Sequence, residues 1–511
     1  MNAKGVGRKL TLSFKWLYLG ALPLQPHKEQ CPLTPNRVAV KKYKEIREKL
    51  EKALKKPDYT SGKVLKNLIL FALPLALATF MQMLFNAVDI AIVGQFGDSR
   101  YQAAVGATSA SVHLIVNLFV GISSGANVLS ANAYGAKDEK RLHEVTHTSI
   151  ATAVASGFII LFLGLFCSRP LMKLIKTPDE IIWYSTIYMQ IYLAGAPAMM
   201  VYNFGASLLR GVGETKKPLY YLLVAGIINV AINLITVIFF HWHVIGVALG
   251  TTLSQCVAAV WITYDLIKGK YGIKLHLKDV KFYKKEEKRL LKIGIPMGIS
   301  SCLYSVSNLF VQSSVNAYGE FAIAGNTVAS NLATMPDSVL TSLERGIITF
   351  VGQNMGANKK ERVNRIVGAG MVATAVWSAF VGVAVLLFGK YLCMIYNTDP
   401  VVIDWAVRRL TWVLATQIFS ILIHTYGAAL RGMGYSFSPM LINLVFTCIF
   451  RIVYIFFVYA KFSPQYIEQV YIIYPITWIA SGLVQMIQYY YCGIKNGLFK
   501  KTCKEQETIT K

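Results

Sequence analysis

Charged residues are scarce in this chain. Of its 511 residues, 15% are Asp, Glu, Lys or Arg and 54% are hydrophobic, and the mean hydropathy is +0.46. An average soluble domain has about 25% charged residues. Several uncharged stretches reach the roughly 20 residues that a helix needs to cross a bilayer. The composition therefore excludes a soluble enzyme and a disordered chain, and it predicts an integral membrane protein.

Sequence motifs of nucleotide hydrolysis, disulfide frameworks and zinc sites are also missing. No GxxxxGK[ST] loop occurs, so ATP hydrolysis within this chain is not indicated. The eight cysteines have no CxxC spacing, which indicates neither a disulfide framework nor a zinc site. One HExxH sequence at 143–147 matches a metalloprotease signature without a third ligand nearby, and we interpret it as a chance match. We predict that the protein is not an enzyme and holds no metal.

Twelve apolar stretches are long enough to cross a membrane as helices. β-Barrel strands are excluded, because they have about ten residues with alternating polarity. The predicted spans are residues 66–94, 103–133, 145–167, 181–209, 218–240, 244–265, 291–317, 324–354, 365–388, 402–430, 439–459 and 470–493. The predicted fold class is therefore an all-α integral membrane protein with twelve transmembrane helices.

Acidic residues are outnumbered two to one. The chain has 52 Lys and Arg against 26 Asp and Glu, which gives a net charge of +26. In a membrane protein such an excess marks cytoplasmic loops, and most basic loop residues lie on one side when the N-terminus is placed inside. We therefore predict a multi-pass protein of the inner (cytoplasmic) cell membrane with both termini cytoplasmic. We expect a monomer in the lipid bilayer with no nucleic-acid partner.

The second half of the sequence repeats the first. LRGVGETKKP at 209–218 matches LRGMGYSFSP at 430–439, and YGAKDEKR at 134–141 matches MGANKKER at 355–362. Each half has an even number of spans, so both halves enter the membrane in the same direction as parallel repeats. We predict two six-helix lobes around a central cleft, which is a transporter architecture. The predicted parts are a basic cytoplasmic extension at 1–62, lobes at 63–267 and 290–497, a cytoplasmic connector at 268–289 and a basic tail at 498–511.

Ionisable residues inside the spans are few, and each costs about 2.5–3.5 kcal/mol at the centre of a helix. Five of them are considered as candidate site residues, namely Asp89, Asp337, Glu344, Arg345 and Arg451. Asp337 and Glu344 are seven residues apart on one helix face. They form either a structural pair with Arg345 or Arg451, or a second acidic site in the C-terminal lobe.

Polar residues at helical spacing extend this set. Gln82, Asn86 and Asp89 share one face of the first span, and a carboxyl in such a cleft can exchange a proton or hold a cation. Asn308 and Gln312 are spaced to line the same cavity as Asp337 and Glu344. Asn229 and Asn233 lie one turn apart, as interhelical contacts or as ligands of a hard cation.

Five segments together resemble the multidrug and toxic compound extrusion (MATE) transporters. They are NAVDIAIVGQFGD at 86–98, SANAYGAKDEKR at 130–141, LRGVGETKKP at 209–218, NVAINL at 229–234 and FVGQNMGANKKER at 350–362. The resemblance covers roughly residues 60–497, with the segments in the same order as in the family. Among the branches of the family, the chain resembles the DinF-like bacterial branch. It implies an ion-coupled exporter of organic cations and other amphiphiles.

The resemblance also implies a site. The family's essential aspartate on the first helix falls on Asp89, and its partners on the fifth and sixth helices fall on Asn229, Asn233 and Thr251. Asn233 departs from the family pattern, which has Asp there, so we favour protons over Na⁺ as the coupling ion. The seventh span lacks the glutamate that another branch of the family uses.

The predicted function is antiport, in which small organic cations or amphiphilic drugs leave the cytoplasm against inward H⁺ or Na⁺. One alternative is a flippase of lipids or lipid-linked oligosaccharides from the same superfamily, although the acidic cleft residues argue against a phosphate substrate. A membrane metalloprotease built on His143 and His147, and a non-transporting sensor that uses the basic N-terminal arm, are further alternatives.

Overall fold

The structure is a computed structural model that describes residues 58–96, 98–269, 271–459 and 467–499. Its regular structure is helical within these ranges. The helices of the first half are α1 (Val64–Phe96), α2 (Ser99–Gly135), α3 (Glu139–Leu174), α4a (Asp179–Ala194), α4b (Ala196–Gly211), α5 (Lys216–Leu234) and α6 (His243–Lys268). Those of the second half are α7 (Lys284–Asn316), α8 (Glu320–Gly356), α9 (Lys360–Met394), α10 (Pro400–Gly432), α11 (Phe437–Phe457) and α12 (Ile473–Asn496).

The predicted twelve-helix fold is confirmed. Ten helices in the described ranges are long and apolar enough to cross a membrane on their own. The fourth span is broken at Gly195 into two helices of 16 residues each, and Pro197 stands in the first turn of α4b. The remaining span, α8, has 37 residues and is more polar because it contains Asp337, Glu344 and Arg345.

Several helices extend beyond the apolar stretches that predicted them. α7 begins at Lys284, inside the stretch predicted as the connector, and α10 reaches from Pro400 to Gly432. The connector keeps a short 3-10 turn at Leu277–Asp279. The predicted extension up to residue 57 and the tail from residue 500 lie outside the described residues.

Three spans contain π-helical turns that the sequence did not predict. The turn Ile235–Phe239 continues the span of α5 and begins two residues after Asn233, and the turn Thr411–Ala415 lies in α10. α11 has one at Leu444–Ile449 and a second from Tyr454. A π turn inserts a residue into the α-helical repeat and is frequent at functional sites. These turns therefore change which side chains face the interior of each lobe.

The two lobes meet along a seam of glycines between α2 and α7. A Cβ added to Gly121 would lie 2.2 Å from the Cα of Gly298, and one added to Gly125 would lie 3.0 Å from the Cα of Gly294. Only glycine allows two helix backbones to approach this closely. The seam therefore depends on the absence of side chains at these positions.

Hydrogen bonds continue the contact toward the end that the sequence predicts to be cytoplasmic. Thr349 Oγ1 of α8 donates to Asn127 Oδ1 of α2 at 3.1 Å, and Gln353 Nε2 donates to the carbonyl oxygen of Gly211 at 2.8 Å. All four residues follow the midpoints of their helices on the way to that end. The lobes are therefore joined there.

Tyr59, just before α1, bridges both lobes at the same end. Its ring stacks on Phe350 of α8 with the centroids 4.1 Å apart. Its backbone N–H donates to Gln353 Oε1 at 3.3 Å, and its hydroxyl donates to the carbonyl oxygen of Gly213 at 3.2 Å. In the opposite halves of α1 and α7, Gln82 and Asn308 are exposed. In the predicted orientation this is an outward-facing arrangement.

Candidate ion-coupling site and substrate cavity

Asp89 is buried in the C-terminal half of α1, with 7% of its surface exposed. Asn233 Nδ2 of α5 donates to Asp89 Oδ1 at 2.6 Å, and Thr251 Oγ1 of α6 donates to Asp89 Oδ2 at 3.4 Å. Asn229 lies one turn before Asn233 and also faces the carboxylate. All four residues that the resemblance named for ion coupling therefore lie together in the N-terminal lobe.

Asn229 completes the group best when its amide nitrogen faces Asp89. In that orientation Nδ2 donates to Asp89 Oδ1 at 2.9 Å. The amide oxygen then accepts from the Thr251 backbone N–H at 3.1 Å and lies 3.3 Å from Thr251 Oγ1. With the single hydroxyl proton of Thr251 directed at Asp89, the carboxylate accepts hydrogen bonds from two amides and a hydroxyl.

The absence of a side chain at Gly250 makes this arrangement possible. A Cβ there would lie 1.9 Å from Asn233 Oδ1, which has no hydrogen-bond partner among the described residues. A Cβ at Gly226 would similarly lie 1.9 Å from the ring of Phe85. α5 thus packs tightly against both α1 and α6, and this packing holds Asn233 against Asp89.

No cation accompanies Asp89, since the described residues include no Lys, Arg or His that forms an ion pair with it. An uncompensated buried charge costs several kcal/mol. Neutral donors offset part of this cost, and a bound proton or small cation offsets more. This is the chemistry expected of a carboxylate that loads and unloads an ion.

Gln82 and Asn86 do not join the Asp89 group. Both side chains are exposed, and neither hydrogen-bonds to Asp89. Their spacing placed them on the same side of α1 as Asp89, but only Asp89 is deep enough to meet α5 and α6.

Apart from the Asp89 group, a polar cavity of about 560 Å³ is lined mainly by residues of the C-terminal lobe. Four predicted substrate-cleft residues line it, namely Asn308, Gln312, Asp337 and Glu344. Gln417 Nε2 donates to Asp337 Oδ1 at 2.5 Å, and Gln312 donates to Asn316 Oδ1 at 2.8 Å. A cavity of this size accommodates a drug-sized molecule.

Glu344 is the acid of an ion pair in this cavity, but its partners differ from the expected ones. Arg431 of α10 forms a salt bridge with Glu344 Oε1, and His424 Nδ1 lies 3.2 Å from Oε2. The sequence left open a structural pair with Arg345 or Arg451, and neither forms a salt bridge with Glu344 within the described residues. Arg345 is the next residue along the same helix, whereas Arg431 approaches Glu344 from another helix.

The expectation that acidic residues dominate the cleft is also wrong, because four arginines line this cavity against two carboxylates. They are Arg345, Arg409, Arg431 and Arg451. Neither Arg409, the eighth residue of the predicted span at 402–430, nor Arg431, directly after its end, was among the residues predicted to line the cleft. Arg451 was the residue from which the sequence could have predicted a basic cavity, because an arginine in the middle of an apolar span usually faces a cavity.

Histidines of the HExxH sequence on α3 contact the connector through His276 and Asp279. His143, His147 and Asp279 bring three possible metal-ligand atoms within 4.8 Å of one another. However, His147 Nδ1 is hydrogen-bonded to the carbonyl oxygen of His143 at 2.7 Å. His147 Nε2 accepts a hydrogen bond from the His276 N–H at 3.0 Å. Both ring nitrogens of His147 are thus in use, and the group has a structural role.

Comparison with known proteins agrees with the repeated architecture. The family model named MatE matches residues 74–235 and again residues 296–457. The chain belongs to the MATE family. MATE proteins are membrane transporters, so the predictions of family and of a protein that is not an enzyme are confirmed.

Two curated relatives of this MATE protein are multidrug proteins by name. It is 27% identical over 389 residues to the probable multidrug resistance protein YoeA of Bacillus subtilis. This alignment covers 75% of this chain and 84% of the relative. It is 24% identical to the multidrug export protein MepA of Staphylococcus aureus, over 75% of this chain and 82% of the relative. A crystal structure of MATE in complex with MaL6 superposes with a TM-score of 0.80 at 19% identity, over 86% of this chain and 98% of that one.

Proposed function

We propose that this MATE transporter exports organic cations or other amphiphilic compounds from the cytoplasm in exchange for protons, with Asp89 as the coupling carboxylate. The single observation that carries the proposal is the burial of Asp89 among neutral donors with no cation beside it. The multidrug names of the relatives support the substrate class.

The chemistry of the donors favours a proton over Na⁺. A hard cation such as Na⁺ prefers several oxygen ligands. Asn233 presents an N–H to Asp89 rather than an oxygen, and Asn229 does the same in its better orientation. Only Asp89 and Thr251 then offer side-chain oxygens, which is a poor set for Na⁺. A proton needs only the carboxylate itself.

Coupling then follows from the charge on Asp89. In the outward-facing arrangement a proton from outside neutralises the carboxylate and removes the cost of its burial. The lobes separate along the glycine seam at the cytoplasmic end, and Asp89 releases the proton there. Substrate leaves on the outer side and enters on the cytoplasmic side, so the two fluxes oppose each other.

The test is ethidium flux in proteoliposomes with a pH gradient or a Na⁺ gradient imposed separately. Wild type is compared with Asp89→Asn, which keeps the shape of the side chain but cannot exchange a proton. Asn86→Ala is the matched control, because Asn86 lies one turn away on α1 and makes no contact with Asp89. We expect pH-driven flux that is lost in Asp89→Asn and retained in Asn86→Ala.

Other outcomes would contradict specific parts of the proposal. Flux driven by Na⁺ alone would refute proton coupling. Equal pH-driven flux in wild type and Asp89→Asn would remove Asp89 from the mechanism. No flux in a folded protein under either gradient would refute export of such compounds and would make lipid translocation the next assay.

A further inference from the structure

Three of the four arginines in the C-terminal cavity have no acidic partner. Arg431 pairs with Glu344, but Arg345, Arg409 and Arg451 form no ion pair within the described ranges. Asp337 is the one remaining carboxylate of the cavity lining. The lining therefore carries an excess of two positive charges, from four arginines and two carboxylates.

Arg451 is the most buried of these arginines, with 1% of its surface exposed. Its guanidinium donates to Thr477 Oγ1 at 3.1 and 3.2 Å and to Ser307 Oγ at 3.3 Å. It also lies 4.5 Å from the centroid of the Tyr474 ring. All these contacts are neutral, so its charge is held in place but not neutralised.

The other two arginines resemble Arg451 in lacking compensation. Arg409 donates to the carbonyl oxygen of Asn326 at 2.6 Å and to Ser330 Oγ, which are also neutral. The Arg345 side chain makes no hydrogen bond to any described residue and is partly buried at the cavity wall. Charges inside a membrane protein are costly and are usually paired or placed on a substrate path.

The cavity also has apolar and aromatic walls. Tyr304, Tyr474 and Trp478 line it together with aliphatic residues such as Val311 and Ile423. Aromatic rings offer a large apolar contact area to a flat ligand. Guanidinium groups in turn bind carboxylate, sulfonate and phosphate groups with two parallel hydrogen bonds.

We propose that this cavity binds the oxyanion of an amphiphilic substrate, with Arg409 and Arg451 receiving the anionic group and the aromatic wall receiving a ring system. The inference rests on the proposed export function and deepens its substrate class to amphiphiles that carry an oxyanion as well as a ring system. A plain organic cation such as ethidium binds without this contact. The excess charge of the cavity is what an incoming oxyanion neutralises.

The experiment compares rhodamine B, which has a free carboxylate, with its ethyl ester, which has the same ring system without that charge. Binding of each dye to the full-length protein in detergent is measured by fluorescence polarisation, without any ion gradient. The variants are Arg409→Gln and Arg451→Gln. Arg408→Gln is the matched control, because Arg408 is adjacent but pairs outside the cavity with Asp404 and Glu468.

We expect wild type to bind rhodamine B more tightly than the ester. Arg409→Gln and Arg451→Gln should each weaken rhodamine B binding by roughly ten- to a hundredfold, the range for a lost hydrogen bond to a charged group. Binding of the ester should stay within about twofold in both, and Arg408→Gln should change neither dye. Elution as a single peak in size-exclusion chromatography and an unchanged melting temperature identify folded variants.

Equal affinity of wild type for the two dyes would overturn the inference, as would equal losses for both dyes in Arg409→Gln and Arg451→Gln. Dihexanoyl-phosphatidylglycerol as a competitor distinguishes the sources of an oxyanion. Displacement of rhodamine B supports a lipid phosphate as the occupant, and no displacement supports a soluble amphiphile. Because binding needs no gradient, these results are independent of whether the ethidium flux experiment succeeds.

Discussion

The glycine seam between α2 and α7 gives the most direct test of how the lobes move. In Gly121→Ala the new Cβ would lie 2.2 Å from the Cα and 2.5 Å from the N of Gly298. Ordinary carbon contacts are about 3.5–4.0 Å, so the two backbones must separate by roughly 1.5 Å. Both clashing atoms belong to the backbone, and no side-chain rotation relieves the contact.

The expected result is a shift toward the conformation in which the cytoplasmic ends are apart. Overpacking costs about 1–3 kcal/mol, which changes the ratio of two conformations by roughly 5- to 150-fold. The cost falls on the outward-facing arrangement alone, provided that the seam opens in the other one. The outward-facing arrangement should therefore lose most of its population when the two start close in energy.

Distances between spin labels measure this ratio. Labels are placed at Lys140→Cys on α3 and Glu361→Cys on α9, both exposed near the closed end, after the eight native cysteines are replaced. Gly106→Ala is the matched control on the same helix, because its Cβ would meet no atom within 4 Å. An unchanged distance distribution in Gly121→Ala would refute the claim that this seam closes the cytoplasmic end.

Three further changes test the sites. Gly250→Ala should displace Asn233 from Asp89 and lower pH-driven flux by at least about tenfold, because a hydrogen bond to a charged group is lost. Asn233→Asp places a second carboxylate beside Asp89 and should make a Na⁺ gradient drive flux in proteoliposomes, since two carboxylates suit a hard cation. Glu344→Gln leaves the charge of Arg431 without its acid and should destabilise the protein by about 3–5 kcal/mol, seen as a lower melting temperature in detergent.

Each of these predictions has a control. Gly368→Ala should leave flux unchanged, because a Cβ there meets nothing within 4 Å. The double variant Glu344→Gln with Arg431→Gln should melt above the single variant, because no buried charge is then left alone. A double variant that melts no higher would contradict the pairing, and Asn233→Asp with flux driven only by the pH gradient would contradict the role given to the donors.

Local patterns predicted the helices well, because hydropathy and span length are properties of neighbouring residues. The break of the fourth span at Gly195 was not predicted, although Pro197 in the first turn of α4b is a residue that disrupts helices. The π turns were missed, since an inserted residue leaves no hydropathy signal. Helix ends such as Lys284 were also missed, because helices continue past the apolar stretch into the polar boundary of the membrane.

The sites depend on contacts between distant residues, which periodicity does not reveal. Asn229 and Asn233 were predicted on one face from their spacing, but only the family resemblance connected them with Asp89. Glu344 finds its partner Arg431 on another helix, 87 residues away. The sequence had instead suggested Arg345 or Arg451. Charge content alone therefore identified most of the important residues but not their pairing.

The separation of Asp89 from the arginine-lined cavity has a consequence for voltage. A cycle that brings one proton in and sends one monovalent cation out moves no net charge across the membrane. The same cycle moves one charge for a zwitterion and two for a monovalent anion. A potential of 100 mV contributes about 2.3 kcal/mol per charge, hence roughly 4.6 kcal/mol for the anion. The charge of the exported compound thus determines how strongly the membrane potential drives its export.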